Sequence, residues 1–521
     1  MFFKHKQTNN MGTDDVLERL PGLIKENEQY IIDCRRTVHR FAEVGGTEVK
    51  TSAFVRKEAE ALGLPVEEVS QTGLIVTLDT GRKGNGVVLR SELDALPIPE
   101  NPNNMKGPRC VVSDDPETSH TCGHDAHVGM LLGAMRALVK VKDQLSGRIY
   151  FCFEEGEENG LGWCGMADAL ERKDVNTVFA LHVSSRLDSG LISVDPGPRL
   201  AGTEEIDAVF IGKGGHASRP DLSVNPVYAA ASAVCDLAVA FTNQIDPNDP
   251  VTLGITSISG GNASNTFPDT AHVIGGMRFF SIEAGKHAAN IVKTVFSLSG
   301  KMHNCKVQFN PSMSVFLPPT INDEDASAFA ERVFTGILPE GTVVSADKWF
   351  GSESFSQYLE RYKGVYAFLG TRNEELGTTA EHHNEYFDVD ESVLSRGALC
   401  YAAYAVSAAA DSRISQWKMR EASDITQDED EEERKISKEL AASSVHKNAR
   451  YNLDTKIGAV LKSKKAVETI EAIVPGVVTH PQAKYFSGMT LRRAARMLPD
   501  LFTPELLSQI DEALSQIDEN N

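Results

Sequence analysis

No stretch of this chain holds the ~20 consecutive apolar residues that a membrane-spanning helix requires, so no membrane partner is expected. Positive charge is also scarce: 52 Lys and Arg stand against 73 Asp and Glu, a formal net charge of −21. So acidic a surface repels phosphate backbones, which argues against nucleic acid as a partner. Cysteine is sparse and scattered, eight in 521 residues, with no zinc-finger spacing, so neither a disulfide framework nor a structural zinc site is expected. The opening MFFKHKQTNN lacks the apolar core and small-residue cleavage site of a secretory signal. Reduced thiols and the missing signal make a cytoplasmic location the expectation.

What is present reads as several domains, since 521 residues exceed one ordinary core. Residues 14–38 have helical apolar spacing at Val16, Leu20, Leu23, Ile24 and Ile31. Strand-like segments at 86–90, 147–153 and 175–183 then alternate with helical ones, among them an apolar helix over 125–141. That alternation predicts an α/β fold with a largely parallel, doubly covered sheet. Residues 205–311 change to the order β-α-β-β-α-β, the ferredoxin-like pattern. The predicted organisation is an α/β/α catalytic domain from 14–198 and 313–410, interrupted by an inserted α+β domain at 199–312. An acidic linker, 411–448, contains DEDEEE at 428–433, and a small helical module follows at 449–521.

Polar, metal-competent residues gather where the strands end, which is where open α/β sheets bind ligands. The first strand runs into Glu92 and Asp94, the second into Glu154, Glu155, Glu157 and Glu158, and the third ends at His182. Between the first two, HTCGHDAH packs His120, Cys122, His124, Asp125 and His127 into eight residues. A Cys and a His two apart can reach one cation, carboxylates can complete its shell, and an open position remains for water. Such a cation lowers the pKa of water towards ~7 while a neighbouring carboxylate accepts the proton.

These residues stand in motifs that resemble a family. VHRFAEVGGTE (38–48), RSELDALPI (90–98), HTCGHDAHVGMLLGA (120–134), FEEGEENG (153–160), LHV (181–183), GKGGHAS (212–218), NTFPD (265–269), GSESFSQY (351–358) and HHNEYFDVDE (382–391) occur in family order. Together they are similar to the amidohydrolase branch of the aminoacylase/carboxypeptidase-type metallopeptidases. That branch includes hippurate, auxin-conjugate and p-aminobenzoyl-glutamate hydrolases, and the last motif looks closest to the p-aminobenzoyl-glutamate type. The resemblance implies one or two divalent ions, manganese or zinc, held by Cys122, His124, Glu158, His182 and His383. It implies Glu157 as the general base and His216 as a donor to the oxyanion in a partner subunit's site. Asn265 and Arg278 would bind the substrate carboxylate. The inserted domain would be a lid and the contact of a homodimer, and the substrate a small N-acyl or aroyl amino acid.

Three positions depart from the family pattern: Glu92 and Asn225 where Asp is usual, and Ser354 where Asp usually follows Glu353. Glu154 and Glu155 occupy places where relatives usually carry neutral residues, and their expected role is a polar rim. Two alternatives stay open at this point, a non-catalytic relative that binds acyl amino acids or a partner protein, and a dipeptidase or carboxypeptidase of the wider superfamily. The Cys122/His124 pair favours the amidohydrolase branch over the latter. Glycines near the domain junctions, Gly197 and Gly202, permit hinging.

Overall fold

A run such as GVVLR has no polar alternation, which a strand tolerates when both of its faces are covered. In the computed structural model these residues are buried throughout. The structure describes residues 11–310, 316–419, 451–453, 455, 457–474, 490–492 and 504–517. Contacts divide the chain into two units, one comprising Met1–Gly197, Ile321–Asp347 and Gln357–Gln427, the other Pro198–Thr320, Lys348–Ser356 and Asp428–Asn521. The acidic run at 428–433 lies outside the described residues.

The first unit is built on a seven-stranded sheet. Its strands are β1 (Val66–Glu68), β2 (Leu74–Asp79), β3 (Gly86–Glu92), β4 (Arg148–Glu154), β5 (Thr177–Asp188), β6 (Ile192–Ser193) and, late in the chain, β13 (Gly364–Arg372). Their order is β1-β2-β4-β3-β5-β13-β6. The four central strands, β4, β3, β5 and β13, are parallel and the flanking pairs antiparallel. Helices α1 (Met11–Glu26), α2 (Glu28–Phe41), α3 (Val49–Ala61), α4 (His124–Lys140), α5 (Trp163–Leu170), α8 (Glu324–Ile337) and α9 (Leu394–Ala410) surround it. α4 reads HDAHVGMLLGAMRALVK and is buried on nearly every side, as a helix that is apolar all round must be. The stretch Glu391–Ala410 is long and apolar enough to cross a membrane, but 78% of that apolar window is buried. It packs on α2 and α4 as a core helix.

The topology places the chemistry. The chain leaves β3 through α4 to reach β4 on one side, then returns through α5 to β5 on the other side of β3. Such a reversal opens a crevice at the carboxyl ends of the strands. β5 is longer than the sequence suggests: Phe368↔His182 pairing with β13 continues to Arg372↔Asp188. His182 is therefore mid-strand, two residues beyond the Arg90↔Ala180 pair and level with the end of β3.

The second unit carries a sheet of β7 (Gly202–Ile211), β9 (Thr252–Ser259), β11 (Thr270–Phe279) and β12 (Lys306–Phe309) in the order β9-β11-β7-β12, all antiparallel. Helices α6 (Pro226–Gln244) and α7 (Ile282–Met302) supply Ala229, Ala233, Leu237, Val292 and Phe296 to a core shared with Phe210, Val273, Met277 and Phe279. Asn225 serves α6 as an N-cap, accepting the Val227 N–H at 3.0 Å, with Pro226 at the first helical position. Its departure from Asp thus leaves the capping function in place. A two-stranded ribbon, β8 (Gly215–His216) with β10 (Thr266–Phe267), stands beside the sheet. Among the described C-terminal residues are helices α10 (Ile457–Leu461), α11 (Lys464–Ile473) and α12 (Pro504–Ser515). Leu453, Val460, Ile470, Leu507 and Leu514 are buried there, and Asp511 accepts the Leu453 N–H at 2.8 Å.

Candidate metal centre

Two turns bring the donor atoms together. Gly123, at φ +95°, ends the HTCG turn; a Cβ there would stand 2.4 Å from Val183 Cγ2, so only glycine lets the turn lie against β5. Cys122 and His124 flank it, both buried. The second turn holds His383 in the left-handed region, φ +61°, with its N–H donated to Thr121 O at 2.9 Å. His382 adds a ring contact from Nδ1 to Cys122 O at 3.1 Å. These bonds tie the 382–383 segment to the 120–123 segment across 260 residues of sequence.

Ligand-type atoms of Cys122, His124 and His182 all lie within 4.8 Å of one another, as do those of Cys122, Glu158 and His383, and those of His124, Glu157 and Glu158. The first two triads share Cys122 and contain all five expected ligands. Cys122 Sγ is 3.5 Å from His182 Nε2, and His383 Nε2 is 3.2 Å from Glu158 Oε1. Each buried imidazole is oriented from behind. His124 Nδ1 meets Asp94 at its backbone O (3.0 Å) and Oδ1 (3.1 Å), which leaves Nε2 buried and without a partner. His182 Nδ1 meets Val183 O at 2.6 Å, which turns Nε2 towards Cys122. An imidazole tied at one nitrogen with its other nitrogen bare in a buried cluster is the arrangement that metal-ligating histidines take. Sulfur, nitrogen and carboxylate oxygen together suit zinc, manganese and related divalent ions. The residues fit a cation.

The donor groups also shift one another's protonation. Burial, reinforced by Glu158, pushes the Cys122 thiol well above its usual range. Burial works to deprotonate His124, but Cys122 and Asp94 outweigh it and hold its pKa well above the ordinary value. Burial would raise Glu158, yet His383 and His124 bring it below normal. For His182, burial together with His127 and His382 drives the pKa well down, so its ring is neutral.

A fourth group, Glu92, His124 and His127, also has closely spaced atoms. It is closed to a cation at His127, whose Nδ1 meets Glu92 Oε2 at 2.7 Å and whose Nε2 accepts the Val183 N–H at 3.0 Å. Glu92 thus supports His127, and Arg90 pairs with it from the same strand. The longer side chain at this departure reaches both partners.

Glu154 and Glu155 are not a polar rim. Both are buried: Glu154 pairs with Arg90 at 3.0 Å and accepts from Tyr358 OH, and Glu155 Oε2 accepts from Thr72. β4 is a central strand covered on both faces, so a carboxylate at its end must find partners inside.

Sequence reasoning named Asp94 without giving it its part. Its Oδ2 also accepts the Glu158 N–H at 2.9 Å, so one side chain braces ligand candidates from two different loops. It likewise missed a buried charge network behind α4. Arg35 meets Asp125 (2.8 Å), Glu391 (2.9 Å) and Asp388 (3.2 Å), while His39 bridges Asp125 and Glu100 at 2.8 Å each. The signal was there in VHRFAE and HDAH, but motif order does not say that Asp125 and His39 touch.

Three expected residues lie in the second unit. His216 and Thr266 face each other in the β8–β10 ribbon, and Asn265 adjoins it, its O accepting the Ala217 N–H at 3.0 Å. His216 Nδ1 receives the Ser218 N–H at 3.2 Å, which places the ring proton of neutral His216 on Nε2. Arg278 stands apart from them, near the far end of β11, eight residues or about 27 Å along the strand from Thr270. It bonds Thr203 Oγ and Met277 O, and burial lowers its pKa.

The sequence model described as peptidase family M20/M25/M40 matches residues 88–407. The chain belongs to that family. As a member of M20 it is a metal-dependent hydrolase. Thermostable carboxypeptidase 1 of Saccharolobus solfataricus is 34% identical over 405 residues, covering 75% of this chain and 98% of its own. IAA-amino acid hydrolase ILR1-like 4 of Arabidopsis thaliana is 32% identical over 399 residues, 76% of this chain and 89% of its own. Among solved structures, the Bacillus subtilis YXEP protein, a dinuclear metal binding peptidase from the M20 family, aligns at a TM-score of 0.63 and 25% identity. It covers 74% of this chain and 99% of that one. The aminobenzoyl-glutamate utilization protein of Klebsiella pneumoniae shares the fold, with a TM-score of 0.56 and 18% identity over 75% of this chain and 98% of its own.

Proposed function

We propose that this M20 chain hydrolyses the amide bond of small N-acyl or N-aroyl amino acids, with p-aminobenzoyl-glutamate and hippurate as the types to try first. One observation carries the reading: the donor atoms of Cys122, His124, Glu158, His182 and His383 converge in two triads that share the Cys122 sulfur, with Glu157 beside them. Those residues would hold one or two manganese or zinc ions, which would supply Lewis acidity for the amide carbonyl and lower the pKa of water towards neutral. Glu157 takes the proton of the attacking water and passes it to the leaving nitrogen. His216, with its proton on Nε2, donates to the oxyanion; one such donor contributes roughly 3–4 kcal/mol to lowering the barrier. Asn265 of one protomer and the planar fork of Arg278 of the other hold the substrate carboxylate between them, since the two stand apart within one chain.

The β-α-β-β-α-β order and the sheet order β12-β7-β11-β9 support reading the second unit's sheet as a ferredoxin-like lid. We assign it also the contact of a homodimer. Tyr228, Cys235 and Val239 make an exposed apolar stripe on α6, and the edge strand β9 exposes Ile258 and its unpaired backbone. A dimer would let His216 serve the partner's site. The eight cysteines are all free, in keeping with a cytoplasmic location.

The name of the Saccharolobus relative favours a second reading, carboxypeptidase action on peptides. A panel of p-aminobenzoyl-glutamate, hippurate, indole-acetyl conjugates and plain dipeptides separates the two. The mechanism is tested with Glu157→Gln, which should abolish turnover at unchanged metal content. Retained turnover would refute it.

A further inference from the structure

Glu48 occupies the N-cap position of α3, yet its side chain does not cap that helix. Glu43 takes that duty, accepting the Lys50 and Thr51 N–H groups at 3.0 and 2.9 Å. The Glu48 carboxyl is fully buried and turned elsewhere: Oε1 accepts the Gly156 N–H at 2.7 Å, and Oε2 lies 2.7 Å from Thr72 Oγ. Gly156 belongs to the loop that continues into Glu157 and Glu158.

A second carboxyl crowds the same hydroxyl. Glu155 Oε2 is 2.7 Å from Thr72 Oγ and 2.7 Å from Thr72 N. A hydroxyl has one hydrogen and can donate to only one of the two oxygens. The other oxygen–oxygen contact, equally short, needs a proton on the carboxyl. Thr72 N–H decides which: it makes Glu155 Oε2 the acceptor, so the hydroxyl hydrogen goes there too. Glu48 Oε2 is then the O–H that donates to Thr72 Oγ, and Glu48 Oε1 is the carbonyl that accepts from Gly156. Every hydrogen in this cluster has a place only if Glu48 is neutral.

The charges around the group agree. Burial is the largest influence and Asp94 adds to it, while backbone N–H groups oppose them; the Glu48 pKa comes to about 7. Glu155 is the other carboxylate facing it.

We propose that Glu48 is a proton-bearing positioning residue, a neutral carboxylic acid that clamps the Glu157–Glu158 loop at Gly156 through a hydrogen-bonded chain Gly156–Glu48–Thr72–Glu155. This rests on the assignment of Glu157 and Glu158 for its effect on catalysis, though not for the protonation itself. The clamp complements the Asp94 bond to Glu158 N on the other side of the same loop. As pH rises through about 7, Glu48 ionises against Glu155 and Asp94, the Oγ contact loses its hydrogen, and the loop is released. Glutamine has the same shape, with an NH₂ to donate to Thr72 Oγ and a carbonyl for Gly156, and it cannot ionise.

The experiment pairs infrared difference spectroscopy with steady-state kinetics on the metal-loaded full chain. Wild type should show, on the acid side of pH 7, a protonated carboxylic acid's carbonyl band that is lost at about 7 and that Glu48→Gln lacks; Glu204, which burial also raises to about 7, contributes to both proteins and cancels in their difference. Glu48→Ala should lower kcat about tenfold with little change in KM, the pattern of a displaced catalytic group. Glu48→Gln should restore kcat to within about twofold at low pH, because its hydrogen bonds are kept, and should remove a kcat decline that wild type shows above about pH 7. Absence of the infrared band in wild type overturns the proposal, as does Glu48→Gln being as impaired as Glu48→Ala on the acid side. The band reports Glu48 even if Glu157→Gln remains active, so failure of the mechanism and failure of this clamp are told apart.

Discussion

Replacing Asp94 with Asn tests whether the donor cluster is held by design from behind. The side chain is 1% exposed and receives hydrogen-bond donors at both oxygens: His124 Nδ1 at Oδ1 (3.1 Å) and the Glu158 N–H at Oδ2 (2.9 Å). An asparagine retains one acceptor and turns an NH₂ towards the other donor. If it keeps His124, the Glu158 amide faces a second donor and the loop must shift; if it keeps Glu158, His124 is left with the Asp94 backbone O alone. Either way one buried donor is stranded, at roughly 1–3 kcal/mol. The lost negative charge also makes His124 a weaker ligand. Substitutions of this kind cost about 10–100-fold in metal affinity, or roughly 1.4–2.7 kcal/mol. Zinc or manganese competition against a chelating dye reads the affinity directly, with Cys122→Ala as the variant that removes a ligand outright. If Asp94→Asn binds as tightly as wild type while Cys122→Ala does not, Asp94 orients nothing and the account of the site's rear wall is wrong.

Arg35→Met removes the buried guanidinium that three carboxylates share, leaving Asp125 to His39, Glu391 to Arg36 and Asp388 to Asn104, and should destabilise the chain by about 3–5 kcal/mol in urea unfolding. Burial raises the Asp125 pKa and Arg35 is the chief influence lowering it, so without Arg35 that pKa climbs. The deficit should therefore be largest at neutral pH and shrink on acidification, and a deficit that grows with acid would contradict the sign. Charging the α6 stripe by Tyr228→Asp with Val239→Asp should halve the sedimenting mass and reduce turnover together. A wild-type chain that already sediments as a monomer would refute the dimer.

How much of this was legible beforehand depended on the distance between partners. The pair Cys122 and His124 is readable because two residues of spacing suffice to point both at one place. Glu157 and Glu158 come from a motif match, and the structure brings their carboxylates to within 4.8 Å of a His124 nitrogen. The parallel sheet was readable too, from apolar strands alternating with helices, and with it the end of β3. Glu154 was misread because its partners, Arg90 and Tyr358, stand 64 and 204 residues away, and nothing local distinguishes a carboxylate on a rim from one at the buried end of a central strand. His182 reads as a strand end in the sequence because the apolar run stops there. β5 continues because β13 pairs alongside it to Asp188, whose partner Arg372 stands 184 residues further along the chain.

The misreadings have a common form, and it bears on the departures from the family pattern. Glu92 and Glu154 each look like a perturbation when taken singly, one carboxylate lengthened by a methylene and one added. In the fold they meet at Arg90, which is wholly buried and pairs with both. Arg90 alone would be an uncompensated buried cation, and either glutamate alone an uncompensated buried anion; each is tolerable only because the others are there. Through Glu92 the same group fixes the His127 tautomer, and through His127 Nε2 it holds the Val183 amide next to His182. A change at Glu154 would therefore be felt at a candidate ligand two strands away, although no motif connects them.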